Sequence, residues 1–304
     1  MNPLVTIVTP SYNQGQFLRD TIESVLSQNY TPLEYLVIDG GSTDQTLEVL
    51  KSYGELFVWV SEKDDGQADA VNKGWRRARG DILGWLNSDD IYLPGAVSTA
   101  VAALQAHPEV AAVYGEGYHI DKDGKVLERY PTEPFNRNRL GEICYICQPT
   151  VFVRRSVLEA VSFLDKRLQY CMDYDLWFRI GKSYVMANLP DYLACTRLHP
   201  ATKTLGQRAK AHREILKVVH RHCGAVPASW VYAYGHAVLE PMVDRSHRLG
   251  NALFVIGWIA IAMKTFLKYN HRLTRPELRR WRAMLGELLR WDQPQASGTG
   301  GRPQ

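Results

Sequence analysis

The order of apolar and polar segments over residues 4–90 constrains the fold of this chain more than any other feature. Four apolar runs of strand length are each followed by a polar cluster and then by apolar residues at helical spacing. The runs are Leu4–Val8, Leu33–Ile38, Phe57–Val60 and Asp81–Leu86. Strands that alternate with helices in this way predict βαβ units, and therefore an α/β fold with a mostly parallel sheet flanked by helices.

Polar clusters lie where these predicted strands end. They are Thr9–Asn13, Asp39–Asp44, Asp64–Gln67 and Asn87–Asp90. Ligands of open α/β sheets bind beyond the carboxyl ends of the strands. We therefore expect four segments that are distant in sequence to face one crevice, which predicts a binding site there.

The last of these clusters places two adjacent carboxylates, Asp89 and Asp90, at the end of a buried strand. Crowded carboxylates repel each other and cost desolvation energy unless a cation compensates them. Their oxygen atoms favour a hard cation such as Mg²⁺ or Mn²⁺, with substrate phosphates completing its coordination. The alternative is structural, because either residue can be the N-cap of the helix predicted over residues 95–106.

Several shorter elements are predicted downstream. Ile91–Gly95 is expected to form a turn, Ser156 is a candidate helix cap, and a helix is expected to begin at Asp173 with acidic residues in its first turn. The predicted strands and hairpin cover residues 111–114, 119–126, 148–153, 185–189 and 192–197.

The net charge of +4 conceals an uneven distribution. Residues 205–304 contain 16 lysines and arginines against 6 acidic residues, a balance of +10, so residues 1–204 have a balance of −6. The acidic part can supply carboxylates to a site, whereas the basic part favours an anionic surface or ligand. The five cysteines are odd in number and no signal peptide precedes the first strand, so we expect reduced thiols and a cytoplasmic protein.

Residues 205–292 are predicted to form a helical extension to a domain spanning residues 1–204. Within the extension, Leu249–Met263 carries no charge and is followed by basic residues and tryptophans (Trp281, Trp291), a mixture that suits a helix in an anionic membrane interface at the inner face of the cell membrane. The alternative is a hydrophobic helix packed on the main domain or on a dimer partner. The tail, residues 293–304, is rich in Gly, Pro, Ser and Gln and is predicted to be disordered.

Five sequence blocks, in this order, resemble the family 2 glycosyltransferases with a GT-A fold. The resemblance extends over about residues 4–204, and its blocks are Val8–Asn13, Val37–Asp44, Gly66–Gly74, Leu86–Asp90 and Met172–Trp177. It implies an inverting enzyme that moves a sugar from a nucleotide-sugar, usually a UDP-sugar. The leading hypothesis is that such an enzyme acts on a glycan or lipid-linked acceptor in polysaccharide biosynthesis, and the basic extension fits the lipid-linked acceptor.

The resemblance assigns the catalytic and metal-binding roles to three residues. Asp173 would be the general base that takes the proton of the acceptor hydroxyl, with Asp175 as the runner-up. Asp89 would bind a metal ion and the diphosphate, and His199 is a second candidate ligand. The sequence departs from the family at Asn87, where many relatives have the first Asp of a DxD motif, and at Met172, where they commonly have Glu.

The resemblance further implies residues that bind the donor and the acceptor. Tyr12 offers a ring face for stacking on the base, and Asp39 can accept a hydrogen bond from the base or ribose, although both also suit a turn. Lys73 can reach a phosphate or remain solvated, and Trp177 can form an apolar wall or pack in the core. The expected donor-binding residues are Pro10, Tyr12, Asn13, Asp39, Gly66, Gln67, Lys73, Asn87 and Ser88, and the expected acceptor-binding residues are Gln148 and Trp177.

A second class of function stays open at this point. Asn87 and Met172 also suit a non-catalytic nucleotide-sugar- or carbohydrate-binding protein on the same fold. A nucleotidyltransferase is disfavoured because Thr9–Gln16 lacks a Gly-rich loop with Arg and Lys. No nucleic-acid-binding motif is present.

Overall fold

A computed structural model describes residues 2–199, 202 and 206–290, and for residues 287–290 it describes the backbone alone. The described chain forms two compact units, which divide between Glu214 and Ile215. The predicted domain boundary at residue 204 falls ten residues earlier, and the predicted disordered tail lies outside the described residues.

A nine-stranded sheet forms the framework of the first unit. Its strands are β1 (Val5–Ser11), β2 (Leu33–Asp39), β3 (Val58–Ser61), β4 (Ile82–Trp85), β5 (Ile91–Tyr92), β6 (Val110–Ile120), β7 (Val126–Arg129), β8 (Phe152–Arg154) and β9 (Val185–Arg197). Their spatial order is β3-β2-β1-β4-β8-β6-β9-β5, and β7 pairs with β6.

The first four strands confirm the predicted βαβ pattern. β3, β2, β1 and β4 are parallel neighbours, in register Leu36↔Val58, Val5↔Leu33 and Val5↔Ile82. Their carboxyl ends therefore meet at one edge of the sheet. Beyond β4 the sheet is mixed, because β8 runs antiparallel to β4 and β6 whereas β9 runs parallel to β6.

Helices cover the sheet because their apolar residues recur on one face. In α1, the buried residues Leu18, Ile22 and Val25 follow helical spacing and pack in the core with strand residues such as Val5. The helices of the first unit are α1 (Gly15–Leu26), α2 (Thr46–Ser52), α3 (Gln67–Arg77), α4 (Ala96–Ala106), α5 (Arg137–Glu142), α6 (Arg155–Ala160) and α7 (Met172–Ser183).

Four local predictions were wrong. Ile91–Tyr92 forms a short strand that pairs with β9, not a turn. The predicted strand over residues 111–114 extends to Ile120, and the two strands expected over residues 185–197 are a single strand. Ser156 lies inside α6, which begins at Arg155, and so is not its cap.

The sequence obscures the length of β6 because glycines interrupt its apolar pattern. A Cβ atom on Gly115 would lie 2.6 Å from the carbonyl oxygen of Asp191, and one on Gly117 would lie 2.7 Å from the sulfur of Cys147. Glycines inside a strand mark such close approaches. The register between β6 and β9 also shifts between Tyr114 and Glu116, where a regular alternation is lost.

The second unit is helical, as predicted. Its helices follow α8 (Arg208–Cys223), which crosses the boundary, and are α9 (Ala228–Leu239), α10 (Arg248–Asn270) and α11 (Arg275–Arg290). Val231, Phe266 and Trp281 are among the buried residues of its core. Trp281 is therefore a core residue and not a membrane-interface residue, because only 5% of it is exposed. Trp291 lies outside the described residues.

Candidate active site

A cleft of about 970 Å³ opens in the first unit. All four polar clusters that follow the predicted strands contribute to its lining. These contributors are Pro10, Ser11, Tyr12, Gly40, Gly41, Asp64, Gly66, Gln67, Asn87, Ser88, Asp89 and Asp90. Later segments complete the lining, including Tyr130, Gln148, Gln169, Tyr170 and Asp173. The expected crevice is thus present, with Asp89 and Asp173 in one cavity.

Asn87 organises the turn after β4. Its side-chain oxygen accepts hydrogen bonds from Gln67 Nε2 (2.7 Å) and Trp85 Nε1 (2.8 Å). Its side-chain nitrogen donates to Asp90 Oδ2 and Gln148 Oε1, both at 3.0 Å. The four bonds use the full donor and acceptor capacity of the amide. Asn87 therefore orients the surrounding side chains in this conformation.

Asp90 is buried, and its two oxygen atoms accept hydrogen bonds from Asn87 and from the backbone N–H of Arg197 (2.9 Å). Burial, and then the adjacent Asp89 carboxylate, raise the pKa of Asp90 well above its usual range. The helix-cap alternative was wrong, because α4 begins at Ala96 with Gly95 at its N-cap. Asp90 instead ties the turn to the end of β9.

Arg197 is a buried cation that sequence analysis did not assign to the site. Its guanidinium donates to the backbone oxygens of Asp89 (2.9 Å) and Lys122 (2.9 Å) and to Asp20 Oδ2 (3.1 Å). It thereby joins the acidic turn to the hairpin between β6 and β7 and to α1. Sequence could not reveal this role, because most of the partners are backbone atoms of distant segments.

Asp89 and His199 form a pair in which His199 Nε2 lies 3.1 Å from Asp89 Oδ2. His199 is buried, and its ring packs 4.8 Å from that of Phe17. Among the described residues no group of three or more His, Cys, Asp or Glu side chains is arranged to hold an ion. The pair nevertheless fits a hard cation that obtains its remaining ligands from water and substrate phosphates.

Asp173 lies in the first turn of α7 and lines the cleft. Its Oδ1 accepts a hydrogen bond from the backbone N–H of Tyr174 (2.8 Å). Burial raises the pKa of Asp173 to about 6, although backbone hydrogen bonds oppose the change. A carboxylate with a pKa near the working pH is suited to accept a proton. Asp175 is buried against Arg179 at 2.8 Å and does not line the cleft.

Gly66 marks a tight point in the cleft wall. Its φ of 110° is in the region that favours glycine, and a Cβ atom there would lie 3.1 Å from Gln169 Oε1. Gln148, the predicted acceptor contact, lines the cleft, with its amide bonded to Trp85 O (2.7 Å) and Asn87.

Two predicted donor-binding residues form turns instead of cleft walls. Asp39 is fully buried and accepts hydrogen bonds from Ser61 Oγ (2.6 Å), the backbone N–H of Gly41 (3.1 Å) and Ser42. Asn13 has a φ of 52°, and its side chain accepts a hydrogen bond from the backbone N–H of Thr43 (2.8 Å). Neither is among the residues that line the cleft, so their contribution here is to shape its rim.

Lys73 and Trp177 also lie away from the cleft lining. Lys73 Nζ lies 3.3 Å from Glu62 and donates to the backbone oxygen of Lys63 at 3.0 Å. Trp177 is 2% exposed and belongs to the core, so it presents no apolar wall to an acceptor. The core alternative for Trp177 is the one that the geometry supports.

Comparison with known proteins identifies the family. The profile described as Glycosyl transferase family 2 matches residues 6–162, which is more than half of the chain. An uncharacterized glycosyltransferase of Rickettsia prowazekii is 28% identical over 213 residues, covering 67% of this chain and 66% of that protein. The chondroitin synthase of Escherichia coli is 29% identical over 184 residues, covering 59% of this chain and 27% of the synthase. The chain thus spans less than two thirds of the length of these relatives.

Solved structures support the same fold. Staphylococcus aureus TarS 1–349 in complex with UDP-GlcNAc aligns with a TM-score of 0.60 at 16% identity, covering 96% of this chain and 93% of that chain. A mannosyltransferase from Pyrobaculum calidifontis in complex with GDP-Man and Mn²⁺ aligns with a TM-score of 0.58 at 17% identity, covering 95% and 81%. The sheet, the cleft at its strand ends and these matches together show that the chain belongs to glycosyl transferase family 2 and has the GT-A fold.

Proposed function

We propose that the protein is an inverting glycosyltransferase that moves a sugar from a nucleotide-sugar to a hydroxyl group. The observation that carries the proposal is that Asp89 and Asp173 line the same cleft, with His199 Nε2 3.1 Å from Asp89 Oδ2. The leaving diphosphate requires stabilisation of its negative charge, whereas the attacking hydroxyl group requires removal of its proton. The cleft offers both.

In the proposed reaction, the acceptor oxygen attacks the anomeric carbon while its proton passes to an Asp173 oxygen. The bond between the anomeric carbon and the diphosphate oxygen breaks, and the nucleoside diphosphate leaves with the electron pair. Attack from the side opposite the leaving group inverts the anomeric centre. A cation held by Asp89 and His199 would supply Lewis-acid stabilisation of the diphosphate.

The donor is proposed to be a UDP-sugar, since TarS binds UDP-GlcNAc. The mannosyltransferase of the same fold binds GDP-Man with Mn²⁺, so the nucleotide requires a direct test. Proposed donor contacts are Pro10, Tyr12, Gly66, Gln67 and Ser88. A glycan or lipid-linked acceptor is proposed because the similar proteins include chondroitin and hyaluronan synthases.

The experiment that tests this proposal is a panel of UDP-, GDP- and dTDP-sugars with Mn²⁺, measured first for thermal stabilisation and then for release of nucleotide. A ligand that binds the folded state raises stability by mass action. One donor is expected both to stabilise the protein and to release its diphosphate. Absence of stabilisation by every donor would contradict the proposal.

Replacing Tyr12 with alanine is expected to weaken nucleotide binding. The side chain lines the cleft and is 61% exposed, so its ring face is free to stack on a base. Stacking of a base on an aromatic ring contributes about 1–3 kcal/mol, which corresponds to roughly 5- to 150-fold in Kd. Calorimetric titration with UDP and Mn²⁺ would measure the change. Tyr184→Ala, outside the cleft, is the control, and equal affinities for all three proteins would refute the stacking role.

A non-catalytic nucleotide-sugar-binding protein is the second candidate, favoured by one observation. Because residue 87 is an asparagine, the acidic turn has no carboxylate at this position to bind a cation. The amide of Asn87 is also fully hydrogen-bonded, by Gln67, Trp85, Asp90 and Gln148. Binding of a donor without release of nucleotide, in the wild type and at any pH, would favour this candidate.

We also propose that the second unit contacts an anionic membrane surface. In α10, Leu249, Leu253, Ile256 and Leu267 follow helical spacing and are each at least half exposed, whereas Phe254 and other residues of the same helix are buried in the core. By length and composition alone, α10 is the one helix among the described residues that could cross a membrane. Its packed face favours a position within the interface, with the lysines and arginines of residues 245–282 near lipid headgroups.

Replacing both Leu253 and Ile256 with glutamate is expected to lower binding to phosphatidylglycerol-containing vesicles by about tenfold or more, because each buried aliphatic side chain contributes about 1.5–3 kcal/mol. Co-sedimentation with and without the anionic lipid measures this. Leu56→Glu, an exposed leucine of the first unit, is the matched control. Unchanged sedimentation of the double variant, or loss of a dimer instead of lipid binding, would overturn the membrane proposal.

A further inference from the structure

Glu214 holds the segment that leads into α7. Its carboxylate accepts hydrogen bonds from three consecutive backbone N–H groups, those of Gln169 (3.0 Å), Tyr170 (2.7 Å) and Cys171 (3.0 Å). The Cys171 thiol also lies 3.4 Å from the same carboxylate. Bonds from N–H groups to an ionised acceptor are about twice as strong as neutral ones. One side chain thus fixes a three-residue stretch of backbone.

This stretch determines where the candidate base sits. Cys171 is the N-cap of α7, and its own side chain does not cap the helix. Asp173 follows two residues later, in the first turn, and faces the cleft. A negative charge beside a helix N-terminus is also favoured by the helix dipole. Glu214 therefore fixes the backbone that leads into the helix, from a position 43 residues after Cys171 in the chain.

The same stretch forms part of the cleft wall. Gln169 and Tyr170 line the cleft, and Gln169 approaches the position of a Cβ atom on Gly66 at 3.1 Å. Tyr170 is held a second time, because its hydroxyl donates to Gln207 Oε1 at 2.7 Å. Release of the Glu214 contacts would thus loosen both the wall opposite Gly66 and the start of α7.

We propose that Glu214 is a positioning residue, which holds the segment from Gln169 to Asp173 in the arrangement that the reaction requires. The inference rests on the proposed function, because it presupposes that Asp173 acts as the base. It is distinct from the family resemblance, since Glu214 lies beyond the matched residues 6–162.

The charge of Glu214 has a second effect on Asp173. The titratable groups that interact with Asp173 are Tyr130, Cys144, Cys171 and Glu214. Burial raises the pKa of both thiols and of Tyr130, so they stay neutral near pH 7, whereas Glu214 supplies negative charge. That charge contributes to the raised pKa of Asp173, after the larger effect of burial. Removal of the charge should therefore lower the pKa of Asp173.

Hydrogen exchange of Glu214→Gln tests the positioning role without any turnover. The amides of residues 169–171 are expected to exchange about tenfold faster than in the wild type, because a neutral amide is the weaker acceptor. Lys217→Gln, an exposed residue of the same helix, is the control and should leave these amides unchanged. Glu214→Asp keeps the charge on a shorter side chain and serves if the glutamine variant does not fold. Unchanged exchange in the variant used would overturn the proposal.

A carbon-13 NMR titration of the Asp173 carboxyl group separates this inference from the proposed function. In Glu214→Gln the midpoint is expected to fall below the wild-type value of about 6. In a sugar-transfer assay, the acidic limb of kcat/KM should move to lower pH by the same amount, and kcat should fall. If Glu214→Gln shifts the Asp173 midpoint but the wild-type protein shows no turnover, the proposed function alone is rejected. If Glu214→Gln changes neither the Asp173 midpoint nor the exchange of amides 169–171, the role of Glu214 is rejected.

Discussion

Replacing Asp173 with asparagine is expected to lower sugar transfer by roughly 10²- to 10⁴-fold, the usual contribution of a positioned general base. The amide keeps the size of the side chain but cannot accept the proton of the acceptor hydroxyl. Donor affinity should change little, because Asp173 is not among the proposed donor contacts. Initial rates of nucleotide release at saturating donor, together with the Kd for UDP, measure the two effects separately.

The matched control for this substitution is Asp191→Asn, since Asp191 is an exposed carboxylate that does not line the cleft. It should retain wild-type activity. If Asp173→Asn retained full transfer activity in a folded protein, Asp173 would be removed from the mechanism.

The pH dependence provides a second readout for Asp173. Only its ionised form can act as a base, and burial raises its pKa from 3.8 to about 6. Activity should therefore rise as the pH increases through about 6, and this limb should be absent from the residual activity of Asp173→Asn. An acidic limb near pH 4 would contradict the assigned environment of this carboxyl group.

Replacing Asp89 with asparagine is the second substitution with a large expected effect. Loss of one electrostatic contribution to a developing charge costs about 10²- to 10³-fold in kcat. Asp89 also pairs with His199 at 3.1 Å, so His199→Gln should act through the same cation. The stabilisation that Mn²⁺ adds to UDP binding in a thermal melt should be lost in Asp89→Asn and reduced in His199→Gln.

A double variant tests whether the pair acts as a unit. If Asp89 and His199 hold one cation, the double substitution should cost little more than Asp89→Asn alone, because coupled residues are not additive. Asp123→Asn, an exposed carboxylate on the hairpin tip, is the control. Full Mn²⁺ dependence in Asp89→Asn would show that the cation is bound elsewhere.

The sequence predicted the part of the fold that depends on local periodicity. β1, β2 and β4 end at Ser11, Asp39 and Trp85, near their predicted positions, because apolar β-branched runs and polar turn clusters are local properties. β9 was divided wrongly, since Pro190 and Asp191 interrupt its pattern although its pairing with β6 continues beyond a bulge. Such pairing depends on distant residues and is not visible in a window of sequence.

The candidate site shows the same difference between features set by local sequence and features set by distant contacts. Asp89, Asp173 and Gln148 were predicted to lie in the site from motif position, and they line one cleft. Lys73 was predicted either to reach a phosphate or to remain solvated, and in the structure it contacts Glu62 and the Lys63 backbone. The roles of Arg197 and Glu214 were missed because they bind backbone groups of other segments. A charged side chain that binds the backbone of distant segments produces no recognisable spacing of residues in the sequence.

The central claim, that one cleft binds the donor beside Asp89 and Asp173, is tested most directly by a crystal structure with Mn²⁺ and a UDP-sugar, using the anomalous signal of the metal. We expect one anomalous peak at coordination distance from Asp89 and His199, with the diphosphate beside it and the anomeric carbon facing Asp173. A metal peak remote from Asp89, or a nucleotide bound outside the cleft, would contradict the account.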